Sequence, residues 1–287
     1  MFLNLASVPH PMMNSRPTGP RATPRARRAL RERGLDASRV IGTGPNHRIV
    51  EADVLRASPS ATAGTEIRRP LSATRRTIAR RLVLAKQTIP HFYLRQQIDA
   101  GALAAFYAEC KREFPCSLND PIVRAVGLTV SEFPAFRSRL DGEDLIEAPH
   151  AHIGLAVGLE DGLVVPVIRH ADRLSLRALA LETRRVVELA RARKIENAGQ
   201  AVFTVSNLGM YGTEEFTAII NPPEAAILAV GALRDQAWVQ DGALRLGQAL
   251  TLNLSCDHRI IAGVGAAKFM RRLQEILQAP QQHLGDK

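Results

Sequence analysis

Residues 250–263 read LTLNLSCDHRIIAG. An apolar strand over about 249–255 runs into a polar turn holding Asp257, His258 and Arg259, and Ala262 and Gly263 lead into a helical pattern over roughly 264–278. A strand that ends in a histidine just before a helix is a common mount for an active-site group, because a rigid strand fixes the side chain and the loop leaves it accessible. The same placement also serves a capping or hydrogen-bonded histidine, and spacing alone favours that bland role.

Working outward, VFTVSNLGMYG at 202–212 repeats the arrangement. Ser206 and Asn207 close an apolar strand just before Gly209 and Gly212, which sets a hydroxyl beside a flexible turn. Ser and Asn in such places usually satisfy local backbone groups. No Gly-x-Ser-x-Gly elbow surrounds Ser206, so an esterase nucleophile is excluded.

Between and around these stretches the pattern is α/β. Amphipathic helices are expected over Ser72–Lys86, Gly101–Glu113 and Ser175–Lys194, and a further helix from Asp120 as its cap, with Pro121 behind it, to about Glu132. Strands are expected at 151–159 and 163–168, joined by a hairpin turn at Asp161-Gly162, and again at 201–206 and 225–231. Trp238 reads as a packing residue on a hairpin before Asp241-Gly242, and Asn221-Pro222-Pro223 as a rigid turn.

The N-terminal part differs. Residues 1–21 hold four prolines and few aliphatics, too little to offset the entropy of ordering them, and are expected to form a disordered head. Residues 22–57 form a mini-domain: Thr23 caps a helix with Pro24 at its first position, Gly34 stops it, GTGP at 42–45 makes a turn, and a short helix covers Glu51–Arg56. A Ser/Ala/Gly linker is expected over 58–67, and the main domain over 68–287.

With 287 residues, 46% of them apolar, the chain has enough material for a large core. The formal charge of +10 is uneven, since residues 1–57 carry ten arginines against four acids. A basic docking module for an acidic protein explains this as well as nucleic acid does. Three cysteines, with no CxxC pair, argue against a disulfide framework and a zinc site, so no metal is expected. Neither a signal peptide nor a membrane span is read, and the expected location is the cytoplasm.

Five blocks, in one order, resemble the dihydrolipoyl acyltransferases of the 2-oxoacid dehydrogenase acyltransferase family: PLSATRRTIARRLVLAKQTIPHFYL (70–94), SLNDPIVRAV (117–126), DGLVVPVIRHAD (161–172), FTVSNLGMYGTEEFTAIINPPEAAILAVG (203–231) and DHRIIAG (257–263). Residues 22–55 likewise resemble that family's peripheral subunit-binding domain, which docks other components. The resemblance implies a chloramphenicol acetyltransferase-like fold, a homotrimer with active sites between subunits, and acetyl-CoA as substrate. It implies that His258 is the general base and that Ser206 stabilises the oxyanion. A histidine is largely neutral at pH 7 and can accept a proton, and one oxyanion donor is worth about 10² to 10³ in rate. Supporting roles go to Asn207, Asp257, Arg259 and Gly263. Arg75, Arg76 and His91 are candidates for contacting coenzyme A or lining its channel; a solvated helix face is the plainer reading of the arginines, and His91 reads as structural or channel-lining rather than catalytic. Cys256 reads as a small buried filler.

Four departures from the family pattern bear on function. Ala262 stands where the family has Asp or Asn, removing an organiser of the loop while leaving the base, so activity is expected to survive. No lipoylation hairpin is read ahead of the mini-domain. Asn46 and His47 replace a glycine pair in a turn that favours positive φ. The tail APQQHLGDK is polar where relatives are apolar, which suggests an isolated trimer. Three readings follow. The first is a stand-alone enzyme that acetylates a hydroxyl, as in tetronate polyketide assembly. The second is a dihydrolipoamide acetyltransferase using lipoyl groups of another chain, and the third is a non-catalytic scaffold.

Overall fold

The computed structural model describes residues 20–57, 67–159 and 162–285. Residues 1–19 of the expected head, residues 58–66 of the expected linker and Asp161 of the expected hairpin turn lie outside the described residues. The chain divides into two compact units, one ending at Arg69 and one beginning at Pro70.

In the first unit, helix α1 (Pro24–Arg33) begins at Thr23, whose Oγ1 accepts a hydrogen bond from Ala26 N at 3.2 Å, and ends at Gly34 with φ of 63°. Helix α2 (Glu51–Arg56) follows a turn in which Asn46 and His47 have φ of 55° and 56°. The left-handed backbone is therefore kept with two side chains present, at a cost on the order of 1 kcal/mol each. Ala26, Leu30, Ile49 and Val54 make a small core. A carboxylate reinforces it: Asp53 accepts hydrogen bonds from Thr43 Oγ1 (2.7 Å), Val50 N (2.9 Å) and Thr43 N (3.0 Å). These bonds, the Thr43 hydroxyl foremost, hold its pKa below the usual carboxylate value.

The second unit runs α3 (Ala73–Thr88), β1 (His91–Asp99), α4 (Gly101–Glu113), α5 (Asn119–Glu132), β2 (Ser138–Asp141), β3 (Asp144–Glu147), β4 (Ile153–Leu155), β5 (Val157–Leu159), β6 (Gly162–Val164), β7 (Val167–Ile168), α6 (Leu176–Arg191), β8 (Phe203–Asn207), β9 (Ala226–Val230), β10 (Arg234–Gln240), β11 (Ala243–Asp257), α7 (Gly263–Gln278) and α8 (Pro280–Leu284). Among the described residues the main sheet has the order β1-β11-β9-β8-β4-β7, with β10 paired to the first half of β11. It is mixed: β8 runs parallel to β4 and β9, and the other pairs are antiparallel. This is the α/β architecture expected.

Alternation along β11 explains its central place. Leu250, Leu252, Leu254 and Cys256 enter the main core with Leu103 of α4, Ile122 and Val126 of α5, and Phe269 and Leu273 of α7. Thr251, Asn253, Ser255 and Asp257 take the other positions and are buried too. Covered polar groups need partners, and Ser255 Oγ donates to Ala218 O at 2.7 Å.

Several expectations are corrected. The runs read as two strands at 151–168 are four: β4 and β7 join the main sheet, while β5 and β6 form a separate hairpin. Pro166 falls between β6 and β7, where its missing N–H cannot serve a continuous ladder. Asp120 is not the cap of α5 but lies within its first turn, buried, with Oδ2 accepting from Ser117 N and Oγ at 2.6 and 2.8 Å. The tail read as polar carries α8, whose Pro280 and Leu284 are buried. Among the described residues no helix is long and apolar enough to cross a membrane.

Candidate active site

His258 stands on the turn that leaves β11, and that turn is held by Asp257. The Asp257 side chain is 2% exposed and takes a bidentate ion pair from Arg259, with Nη2 to Oδ2 at 2.6 Å and Nε to Oδ1 at 3.0 Å. Its backbone carbonyl accepts from Ile260 and Ile261 N at 3.1 and 2.9 Å. The backbone N–H of His258 donates to Pro90 O at 3.1 Å, and its ring lies 4.4 Å from that of Phe92. The histidine itself is exposed, and its imidazole makes no hydrogen bond to the described residues. The mount is rigid and the imidazole is presented outward.

Ser206 is the second-last residue of β8 and opens on a cavity of about 490 Å³ lined also by Asn119, Asp120, Leu155 and Tyr211. Its neighbour Asn207 braces the mouth: Nδ2 donates to Asn119 Oδ1 at 2.5 Å, and Oδ1 accepts from Gly209 N at 2.7 Å. Gly209 has to be glycine there, because a Cβ would meet Gly231 O at 2.4 Å. Burial pushes the Asp120 carboxyl upward in pKa, against the lowering effect of its bonds from Ser117.

The two residues are not close within one chain. Ser206 lies opposite Ala229 of β9, which lies opposite Asn253 of β11, and His258 comes five residues beyond Asn253. At ~3.3 Å per residue and ~4.8 Å per strand, that is a separation of about 19 Å, with the groups at opposite ends of the sheet.

The other expected residues are placed as follows. Ala262 is the cap residue of α7 (φ −81°, ψ 152°) with no side-chain hydrogen bond to give, and Gly263 is the first helical residue. An Asn or Asp at 262 would supply the missing acceptor. His91 uses both ring nitrogens on backbone: Nε2 accepts from Ile220 N at 3.2 Å, so Nδ1 carries the proton and donates to Ile89 O at 2.8 Å. Both ring nitrogens of His91 are thus committed to backbone groups. Arg76 donates to Leu71 O at 2.6 Å, and Arg75 N binds the Ser72 cap; neither lines the Ser206 cavity. Cys256 is fully buried, and burial pushes its thiol up to about 12, which leaves no useful thiolate.

Sequence reasoning missed two features. Glu224, two residues ahead of β9, is 4% exposed; burial pushes its carboxyl up to about 7, against the hydrogen bond its Oε1 accepts from Asn221 Nδ2 at 2.7 Å. The acid in NPPEAA was its visible signal. The second is a group of histidines around β4 and β7, signalled by the tripeptides HAH at 150–152 and HAD at 170–172.

Comparison with known proteins places this geometry. Residues 63–285 match the 2-oxoacid dehydrogenases acyltransferase (catalytic domain), and residues 20–55 match the e3 binding domain. The acetyltransferase component of the pyruvate dehydrogenase complex of Zymomonas mobilis is 32% identical over 286 residues, covering 91% of this chain. The chain spans 65% of that relative's length. Azotobacter vinelandii dihydrolipoamide acetyltransferase, studied for the catalytic roles of a serine, a histidine and an asparagine, is similar in structure with a TM-score of 0.73 and 35% identity, over 79% of this chain and 98% of that one. A cubic core of a pyruvate dehydrogenase multienzyme complex gives the same values. The chain belongs to the 2-oxoacid dehydrogenase acyltransferase family, with that family's catalytic domain preceded by an E3-binding domain.

Proposed function

We propose that this protein transfers acetyl groups between dihydrolipoamide and coenzyme A, in a site completed by two copies of the chain. The observation that carries the reading is the separation of Ser206 and His258: each is fixed on a strand end with its functional group uncommitted, about 19 Å apart in one subunit by strand geometry. Only a neighbouring copy can bring such groups to one thioester. Exposed Leu82, Val83 and Leu84 on α3 supply apolar surface for that assembly, a homotrimer in our reading.

The chemistry follows from the residue types. His258 of one copy takes the proton of the attacking thiol, and the thiolate adds to the carbonyl carbon of the acetyl thioester. Ser206 of the neighbouring copy donates a hydrogen bond to the oxyanion. Collapse breaks the old C–S bond, and the leaving thiolate recovers the proton from His258. Asp257 and Arg259 position the base, and Asn207 positions the serine. Arg184 and Arg191 line the Ser206 cavity and suit the phosphates of coenzyme A better than Arg75 or Arg76. The serine, histidine and asparagine studied in the Azotobacter enzyme are spaced as Ser206, His258 and Ala262 are here, so this chain keeps two of those three groups.

The hydroxyl acceptor ranked first by the sequence gives way to the dihydrolipoyl thiol, because the relatives are acetyltransferases of pyruvate dehydrogenase complexes. The mini-domain is assigned on the same ground to docking the E3 component through its arginine-rich surface. Incubating the full chain with acetyl-CoA and dihydrolipoamide tests the reading. Acetyl-dihydrolipoamide is expected with wild type and not with His258→Ala; acetyl-CoA left unused, or acetyl found only on hydroxyl acceptors, would overturn it.

A further inference from the structure

The segment entering β4 and the segment leaving β7 run side by side, with Ala171 N donating to Ala151 O at 2.9 Å. On either side of these alanines stand His150, His152, His170 and Asp172. The ring of His170 lies 4.6 Å from that of His150 and 4.8 Å from that of His152, and His150 Nδ1 is 4.0 Å from Asp172 Oδ2. One ligand atom each from His150, His170 and Asp172 can be chosen so that all lie within 4.8 Å of one another.

We propose that His150, His170 and Asp172 bind a single divalent transition-metal cation of the zinc type, which ties the entry of β4 to the exit of β7. Two imidazoles and one carboxylate suit zinc, whereas magnesium and calcium prefer oxygen throughout. Tetrahedral bonds of ~2.0–2.1 Å require ligand atoms about 3.3 Å apart, so closure needs side-chain shifts of roughly 1 Å and no backbone movement. A second observation points the same way: Nδ1 of His170 is buried and has no hydrogen-bond partner. Buried polar atoms are seldom left so, and a cation would satisfy this one.

The surroundings already orient the ligands. Asp172 Oδ1 accepts from Ala151 N at 3.3 Å, which leaves Oδ2 for the metal. His152 is not a ligand; its Nδ1 accepts the backbone N–H of His170 at 3.1 Å and fixes that residue, which has φ of 52°. Arg173 Nε lies 3.9 Å from Asp172 Oδ2 and competes with a cation, but its side chain is 67% exposed and free to swing away. The side chain of His150 is 24% exposed, so solvent can fill the fourth position. Because Ile153 pairs with Phe203 at the start of β8, this site lies at the end of the sheet away from Ser206.

The test is titration of the metal-stripped full chain with Co²⁺, followed by visible absorption, and with Zn²⁺, followed by calorimetry and thermal melting. One saturable equivalent per chain, the intense bands of tetrahedral cobalt and a raised Tm are expected. Asp172→Asn and His150→Gln should each weaken binding at least tenfold and abolish the Tm rise, while acetyl transfer stays at the wild-type level. His258→Ala, which removes a histidine elsewhere, should bind as wild type does. Failure of wild type to saturate, or wild-type affinity in both ligand variants, would overturn the proposal. Since the two variants alter different segments, misfolding of one leaves the other decisive.

Discussion

Where β8 ends, Ser206 faces a cavity of about 490 Å³ and is braced by neutral amides; where β11 ends, His258 stands on a turn locked by the ion pair of Asp257 and Arg259, with the buried Glu224 close to the same end of the sheet. One end is a receptacle and the other a presenter. A hydroxyl donor needs a walled, partly dry site to act on an oxyanion, because water would compete for the hydrogen bond. A general base needs a fixed direction and access, which an exposed ring on a pinned turn provides. Under the proposed mechanism catalysis depends on assembly, since neither end holds both groups.

Breaking the presenting end should cost most. His258→Ala is expected to lower kcat by about 10² to 10⁴ with the chain still folded, measured by thioester exchange. Ser206→Ala should cost about 10² to 10³. Mixing the two variants before reassembly sharpens the comparison: if each site draws on two chains, about one quarter of the sites in random trimers are complete, and about that share of wild-type activity should return. No recovery after reassembly would place both groups of a site in one chain.

Next in size is the pH response of the histidine end. The folded pKa of Glu224, about 7, lies above its unfolded value, so the native state keeps a proton that the unfolded chain releases. Stability from this group is therefore lost as pH rises from about 4.5 to 7, by an amount on the order of 3 kcal/mol. Glu224→Gln should flatten the decline in Tm between pH 5 and pH 8 and melt well above wild type at pH 8. Parallel curves for the two proteins would show that Glu224 is ionised when folded.

The smallest effect belongs to Ala262. Giving α7 its missing cap by Ala262→Asn should stabilise the unit by about 1 kcal/mol, raising Tm by about 2–4 °C. Turnover is expected to change by less than about tenfold, because the chain already keeps Ser206 and His258, the two groups that touch the thioester in the proposed mechanism. A rise of several hundredfold would mean that the natural site is crippled.

Much of this was legible in the residues. Helix α1 with its Thr23 cap and Gly34 stop, α2 and α4 fall where local signals put them, because capping and periodicity act over a few residues. The strands at 151–168 were not separable, since an apolar run does not say which stretch joins which sheet. Asp120 carries a capping signature yet serves Ser117, and the partners of His91, Ile89 and the distant Ile220, are fixed only by the fold. HAH and HAD are 18 residues apart and carry no meaning until β4 and β7 pair.

By itself the sequence determined the two units and the elements with clear caps, since these depend on residue type and short-range order, and its resemblance to a family singled out His258 and Ser206 as candidates. The tertiary structure decided where those groups stand: at opposite ends of one sheet, with a buried carboxyl near one end and His150, His170 and Asp172 gathered at a single strand pair. Strand order and register are set by long-range packing of β11 against the helices, and no local pattern encodes which distant residues that packing will bring together.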